Sequence, residues 1–508
     1  MTTGRASVAC LALGLASCVV GPNYQQPKID VPANFTGTKT ADVADTDPGP
    51  DLSVWWRQFN DPVLDRLIEQ ALAQNLDVLT AASKIAQARE QEIINGAAAL
   101  PSVSASASAV RIHSNSSPLG LFGGPSSGAP AGSGSSSGSS GSAAPASSGS
   151  TIKLYSLGFD ATWELDFFGG VARNVESATA KTDAAVWTLR DTEVTLTAEV
   201  ARDYFALRQA QARIAILNGE LAAQRDTLSV STAKAMTGFV SYLDVHQQTA
   251  QEAETAAQIP PLEADVRVNI DAIGVLLGRA PEDVAGEITG PGAAPAIPAA
   301  LPVGLPSDLL RRRPDIREAE RNLASATAQV GYAIAQLYPK FDIIGLAALA
   351  SNSLPNLLET KNLTYGGIAF INWPIFTAGR LQASVRQNED MEDQAYFSYK
   401  AAILKALQDT EDSLARYDAD RRRLTELNRE ITAATNAVTI ARQQYDAGVS
   451  DFLNVLTTQG TLLRAQDEAA QTQSAVATDL ASLYKALGGG WSEPVPAPTG
   501  PATAANPS

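Results

Sequence analysis

Histidine, cysteine and methionine are almost missing from this chain, at two, two and three residues in 508. A zinc, haem or copper site has nearly nothing to be built from. Histidine-based acid–base catalysis is equally thin, and no catalytic constellation or metal-ligand set stands out. Positive charge is also short. With 38 basic against 54 acidic residues the formal net charge is −16, which disfavours a nucleic-acid binder. A mean hydropathy of −0.06 excludes a multi-helix inner-membrane protein. It leaves room for a β-barrel, whose strands alternate polar and apolar residues. Proline is absent between Ala146 and Ile259 and between Ile375 and Glu493, so no ring interrupts a helix there.

The N-terminus carries Arg5 followed by an apolar, small-residue run from Ala6 to Val20. It is too short to span a bilayer and reads as a secretory signal, expected to occupy residues 1–17. The run ends in Leu15-Ala16-Ser17-Cys18, which resembles a bacterial lipobox. Cys18 would then begin the mature chain and carry a diacylglyceryl and an N-acyl group, enough acyl chain for stable anchoring. Cys10 would leave with the signal, so no disulfide is possible. Val19 follows; the absence of aspartate there leans towards the outer membrane.

The body of the chain is duplicated. Gly238-Phe239-Val240-Ser241-Tyr242-Leu243 reappears as Gly448-Val449-Ser450-Asp451-Phe452-Leu453, 210 positions later. Trp163 and Trp373 keep that offset, as do Leu277-Gly278 and Leu487-Gly488. Upstream, Asp77 and Asp315, and Pro101 and Pro339, are 238 apart. The 28-residue difference is absorbed by an insert, Leu119–Thr151, made almost entirely of Ser, Gly, Ala and Pro and expected to be flexible. The expected organisation is an N-terminal extension (18–60), a first unit (61–290) with insert 119–151, a second unit (308–488) and a flexible tail (489–508).

Each unit contains two barrel-type strands. Tyr155, Leu157, Phe159, Ala161, Trp163 and Leu165 fall on one face, with Ser156, Gly158, Asp160, Thr162 and Glu164 on the other. Val103–Ile112, Lys340–Leu349 and Leu363–Ile375 are the other three strands. The last is less regular, since Ile368 and Phe370 fall opposite Tyr365 and Trp373. Four strands cannot close a barrel, and an open edge in lipid leaves backbone groups unpaired. A membrane role therefore demands an oligomer, and three copies supply 12 strands. Val171–Thr237 and Arg380–Ala447, 67 and 68 residues, are expected to be single helices of roughly 100 Å at about 1.5 Å per residue. Gly238 and Gly448 end them, in turns that favour positive φ. The insert, joining two strands, is placed at the cell exterior.

Further motifs carry a resemblance. They are Cys18-Val19-Val20-Gly21-Pro22-Asn23-Tyr24, Trp55-Trp56 with Phe59 and Asp61-Pro62, and Arg311-Arg312-Arg313-Pro314-Asp315. The strand-to-helix joints Trp163–Gly170 and Pro374–Arg380, and the tip Tyr445-Asp446-Ala447-Gly448, complete the set. The chain resembles the TolC-like outer membrane factors, within them the lipoprotein branch (NodT type) serving RND multidrug pumps. The resemblance implies an α+β membrane protein: a homotrimer with a 12-stranded outer membrane β-barrel and a periplasmic α-helical barrel, performing no catalysis. It implies a periplasmic adaptor (membrane fusion) protein, an inner-membrane RND pump and outer membrane lipid as partners, and no cofactor beyond the lipid on Cys18. The tube is expected to close near the second turn, at Asp446, Asp451, Asn454 and Thr457, with Gly238 and Gly448 marking the adaptor-docking turns. Asn454 and Thr457 stand where some relatives have aspartate, leaving Asp451 the best candidate for an anionic ring; it could equally cap the returning helix. Alternatives are a duct for an ABC-driven protein exporter and a periplasmic coiled-coil scaffold lipoprotein. Arg311-Arg312-Arg313 reads as a surface or intersubunit patch, Arg421-Arg422-Arg423 as a solvated helix face, and His113 and His246 as solvated or structural.

Overall fold

The computed structural model describes residues 19–35, 51–114, 150–288, 290, 295–297 and 306–492. The signal segment 1–17, Cys18, the insert up to residue 149 and the tail from 493 lie outside these. A 3-10 helix, Leu52–Phe59, leads into α1 (Pro62–Gln74) and α2 (Leu76–Ala97). Asp61 caps α1, accepting from the Val63 and Leu64 amides, with Pro62 in the first turn where no donor is needed. There follow β1 (Ser102–Ser114), β2 (Ser150–Leu165), α3 (Gly170–Met236), α4 (Tyr242–Ala257), α5 (Ile259–Leu276) and α6 (Pro281–Ile288). The second half runs α7 (Pro306–Arg312), α8 (Pro314–Ala335), β3 (Lys340–Ser351), β4 (Leu363–Asn372), α9 (Arg380–Asp446) and α10 (Phe452–Ala486). Among the described residues no helix is long and apolar enough to cross a membrane.

The duplication is visible in element lengths. The helices α2 and α8 are both 22 residues, and α3 and α9 are both 67. Two features depart from expectation. The returning helix of the second half is unbroken for 35 residues, but its counterpart is split at Gln258 because Pro260 and Pro261 fit only in a first helical turn. Strand β4 stops at Asn372 rather than Ile375: Pro374 has no amide to donate, and the Ile375 amide turns back onto the Trp373 carbonyl at 2.9 Å.

The first compact unit comprises residues up to Pro22, Ile93–Val175 and Val330–Arg386. Its sheet is antiparallel in the order β1-β2-β3-β4. Every partner pair joins odd to odd or even to even, as in Ser104↔Asp160, Phe159↔Ala347 and Leu349↔Leu363. One face is therefore odd-numbered throughout and carries Tyr155, Phe159, Trp163, Phe341 and Tyr365. The even face carries Ser102, Ser104, Ser108, Asp160 and Glu164. There Ser104 donates to Asp160 at 2.6 Å and Lys340 lies 3.1 Å from Glu164. In the second hairpin the middle of that even face is apolar, with Ile344 directly opposite Ile368, while Lys340, Asp342 and Asn372 keep its joint end polar. The two tryptophans do one job twice: Trp163 donates to the Ala99 carbonyl at 2.9 Å and Trp373 to Leu337 at 3.2 Å. Each thereby ties a strand to the end of the helix preceding its hairpin.

The same unit holds the segment after Cys18. The Val20 amide donates to the Phe168 carbonyl at 3.2 Å. Buried Arg173 donates to the carbonyls of Val20 and Gly21, each at 3.1 Å. A Cβ on Gly21 would lie 2.5 Å from the Gly331 backbone, so only glycine allows this approach.

The second unit, Asn23–Glu92, Glu176–Gln329 and Gln387 onward, is helical. Its core joins Trp55, Phe59, Leu64, Leu67, Tyr204, Phe205, Leu480 and Tyr484. Two buried phenols of this core are satisfied: Tyr484 donates to Gln58 at 2.6 Å and Tyr204 to Asp61 at 2.5 Å. Burial pushes the Tyr204 phenol above its ordinary value, Asp61 adding to the shift. Along the long helices, Arg213 forks onto Asp467 at 2.5 and 3.2 Å and Arg423 meets Glu468 at 3.2 Å, pairing α10 with α3 and α9. The first residues after the second unit are anchored: Gly490 donates to Leu52 at 2.9 Å, and Trp491 donates to Arg312 at 3.1 Å and meets Trp187 edge-on.

Candidate functional site

The expected site lies where α3 turns into α4 and α9 into α10, within the helical unit. Both turns are built alike. Gly238 has φ +76° and Gly448 φ +70°. The Phe239 amide reaches back to Lys234 and that of Val449 to Gln444, both at 3.0 Å, while Gly238 and Gly448 donate to Ala235 and Tyr445. This is the Schellman arrangement, which satisfies helix-end carbonyls. A Cβ at either glycine would meet nothing within 4 Å, so it is φ alone that selects glycine there.

The turns enclose a cleft of about 840 Å³. Its charged lining is Asp244, Asp446, Asp451 and Lys234, three carboxylates to one ammonium. Lys234 lies 3.7 Å from Asp446 and 5.9 Å over the Tyr445 ring. Burial raises the Tyr445 phenol, reinforced by Asp244 and Asp446. Phe452 is buried against Tyr445 at 5.0 Å, whereas Phe239, Leu243, Val449 and Leu453 are exposed. The second turn thus closes on a small core of its own, and both turns project apolar side chains.

The four expected aperture residues fare differently. Asp446 is engaged by Lys234. Asp451 occupies the N-cap position of α10 but makes no side-chain cap bond; its counterpart Ser241 does cap, accepting from Leu243 at 3.1 Å. The Asp451 carboxylate therefore remains exposed. Asn454 donates to Ser450 at 2.8 Å, and the Thr457 hydroxyl turns onto the Leu453 carbonyl at 2.6 Å. Two residues escaped the sequence reading, Lys234 and Asp244. The repeat offset could have found the latter: it carries Asp244 onto Asn454, so the carboxylate absent from the second turn is present in the first.

The triple-arginine motif requires a correction. Arg311 and Arg312 are exposed, but Arg313 is buried and holds Asp315, Asp409 and the Ala486 carbonyl. It is an intramolecular node because α7 ends there and α8 begins against α9 and α10. Arg313 lines a cleft of about 380 Å³ with Asp191, Lys405, Asp409, Arg416 and Asp479. Burial pushes the Asp479 carboxyl up to about 6, with the Asp420 carboxylate adding to the shift. The native state therefore binds this proton more tightly than the unfolded chain. Its stabilisation is complete below the ordinary value of 3.8 and is lost as pH rises through about 6. Asp479→Asn is expected to stabilise the protein by about 1–2 kcal/mol at pH 8, discounted for partial exposure, and to change little near pH 4. Thermal melting at the two pH values checks this; equal shifts would contradict it. Arg422 and Arg423 lie exposed on α9, paired with Asp418 and Glu468. His113 contacts Thr151 at 2.9 Å.

The geometry agrees with what the chain is similar to. The family model described as outer membrane efflux protein matches residues 67–279 and 305–489. Nodulation protein T of Rhizobium leguminosarum bv. trifolii is 31% identical over 491 residues, covering 96% of this chain and 97% of that protein. The pyoverdine export outer membrane protein OpmQ of Pseudomonas aeruginosa is 32% identical over 487 residues, 95% of this chain and 96% of its own length. The solved structure of the outer-membrane channel OprN superposes with a TM-score of 0.82 at 32% identity, over 93% of this chain and all of that one. The four strands are thus one chain's share of an outer membrane β-barrel, and the long helices its share of a helical tunnel. With pattern, fold and relatives in agreement, this chain belongs to the outer membrane efflux protein family and is a non-enzymatic channel of the outer membrane that extends into the periplasm.

Proposed function

We propose that this chain is the outer membrane duct of a tripartite RND-type efflux system, passing small molecules from an inner-membrane pump through a periplasmic adaptor to the exterior. The observation that carries the reading is the pair of matched turns, which present exposed Phe239, Leu243, Val449 and Leu453 around an anionic cleft. Apolar side chains on two equivalent turns are a docking surface for adaptor hairpins, and the carboxylates between them are an aperture. The sheet supports a homotrimer: among the described residues β1 and β4 each lack a second neighbour, and three copies give the even-numbered closed barrel that lipid demands. Relatives described as exporters of pyoverdine and toluene support small-molecule cargo. Cys18 carries the lipid anchor: Val19, the next residue, packs against Gly169 at the strand-to-helix joint.

In the closed trimer Lys234–Asp446 restrains each pair of turns, and Asp451 supplies an anionic ring. At this exposure one pair contributes about 0.5 kcal/mol, so three pairs shift opening roughly tenfold. Planar-bilayer recording is expected to show low resting conductance, a rise of about tenfold in Lys234→Ala, and reduced cation preference in Asp451→Ala. Mass spectrometry of the same preparation is expected to find an acylated Cys18. A monomer that conducts in none of these variants would overturn the duct reading.

A further inference from the structure

Near its far end, one rung before the neutral pair His113↔Thr151, the odd-numbered face of the first hairpin carries two cations. Arg111 and Lys153 are direct partners in the β1–β2 register. Both are exposed, and both share their face with Ala109, Tyr155 and Phe159. Neither makes an ion pair among the described residues. Like charges directly opposite on paired strands repel, so this rung needs an anion from outside.

Its depth says where that anion comes from. From Val103 to Arg111 the strand rises about 27 Å, or about 20 Å along the membrane normal at the usual barrel tilt, close to the height of an apolar band. Trp163 marks the joint end of that band and the cations mark the other end, farthest from the helices. In an outer membrane channel whose helices enter the periplasm, that end is the outer leaflet.

The duplication provides an internal comparison. The offset of 238 carries Arg111 to Leu349, and the offset of 210 carries Lys153 to Leu363. Leu349 and Leu363 are themselves partners. The same rung is apolar in one hairpin and dicationic in the other, so the barrel wall does not itself require charge at this height.

We infer that Arg111 and Lys153 bind a phosphate group of an outer-leaflet glycolipid. The guanidinium takes two phosphate oxygens in a planar fork and the ammonium acts as a point charge beside it. The inference rests on the odd face being the lipid-facing one.

The test uses the full trimer reconstituted in phosphatidylcholine vesicles doped with bis-phosphorylated or dephosphorylated lipid A, re-extracted and assayed for bound lipid A. Each cation beside an anionic surface is worth about fivefold in affinity. R111L/K153L, which installs the residues of the second hairpin, is therefore expected to retain phosphorylated lipid A at least about tenfold less well. R111K/K153R should restore most of the retention, and dephosphorylated lipid A should bind all forms alike. R111Q/K153Q serves as the second variant if the leucine pair fails to assemble as a heat-modifiable trimer. Equal retention by wild type and the uncharged variants overturns the proposal. Complete displacement by millimolar inorganic phosphate also overturns it, since the site would then be one for free anions. Brominated-lipid quenching of a fluorophore at position 109 but not at 108 supports the facing; the reverse overturns the facing itself, which separates that failure from a failure of phosphate binding.

Discussion

Arg313→Ala is expected to destabilise the helical unit by about 2–3 kcal/mol, seen as a lower melting temperature of the solubilised protein. The side chain is 10% exposed, and its partners Asp315 and Asp409 are 30% and 32% exposed. Breaking a fully buried pair costs about 3–5 kcal/mol because a charge is left uncompensated; partial exposure of the carboxylates reduces that. The guanidinium holds Asp315 through two nitrogens at 3.0 and 2.6 Å while reaching the Ala486 carbonyl at 3.2 Å. A lysine has no planar fork with which to do both, so Arg313→Lys should recover only part of the loss. Arg311→Ala and Arg312→Ala are expected to stay within about 0.5 kcal/mol of wild type, as exposed sites do. Equal effects at all three positions would restore the reading of the triplet as a surface patch.

Trp55→Ala should cost more, about 3–5 kcal/mol, the usual range for emptying a buried aromatic site. Trp55 is 0% exposed. It stacks on Tyr484 at 5.2 Å and meets Trp56 and Phe59 edge-on at 5.9 and 6.2 Å. A Cβ on Gly489 would come within 3.1 Å of the Trp55 ring, so this indole also shapes the end of the described chain. Trp55→Phe keeps a stacking ring and is expected to lose less than half as much. Loss of near-ultraviolet dichroism at a lower temperature is the readout. A loss below about 1 kcal/mol would mean that residues 51–60 are an appendage and not core.

These two sites mark the limit of what a linear reading reaches. Arginine triplets on a helix end are usually solvated, and nothing local distinguishes Arg313 from Arg312. The difference is that α8 begins at Pro314 and turns one guanidinium towards Asp409, 96 residues away. The paired tryptophans were legible as a motif but not as a partner for Tyr484. At the tips, the glycines were legible from the repeat; Asp446 and Asp451 were singled out only through the family resemblance, since the offset carries them to Met236 and Ser241. The role of Lys234 was not legible, since its counterpart is Gln444 and the repeat carries no signal there. Ile368 and Phe370 looked like defects of alternation in β4. The register puts Ile368 beside Ile344 and Phe370 opposite Asp342, so the even face of the second hairpin has an apolar centre between polar ends.

By itself the sequence determined the duplication, the four strands, the two long helices and the turns that end them. Those features follow from local rules: side chains alternate with period two in strands, absent prolines leave helices unbroken, and a positive φ asks for glycine. Only the tertiary structure decided that Arg313 is a buried node, that residues 51–60 and 488–491 share one core, and that Arg111 faces Lys153. Each of these is a relation between segments far apart in the chain. Register and packing set such relations, and neither is a property of one segment alone.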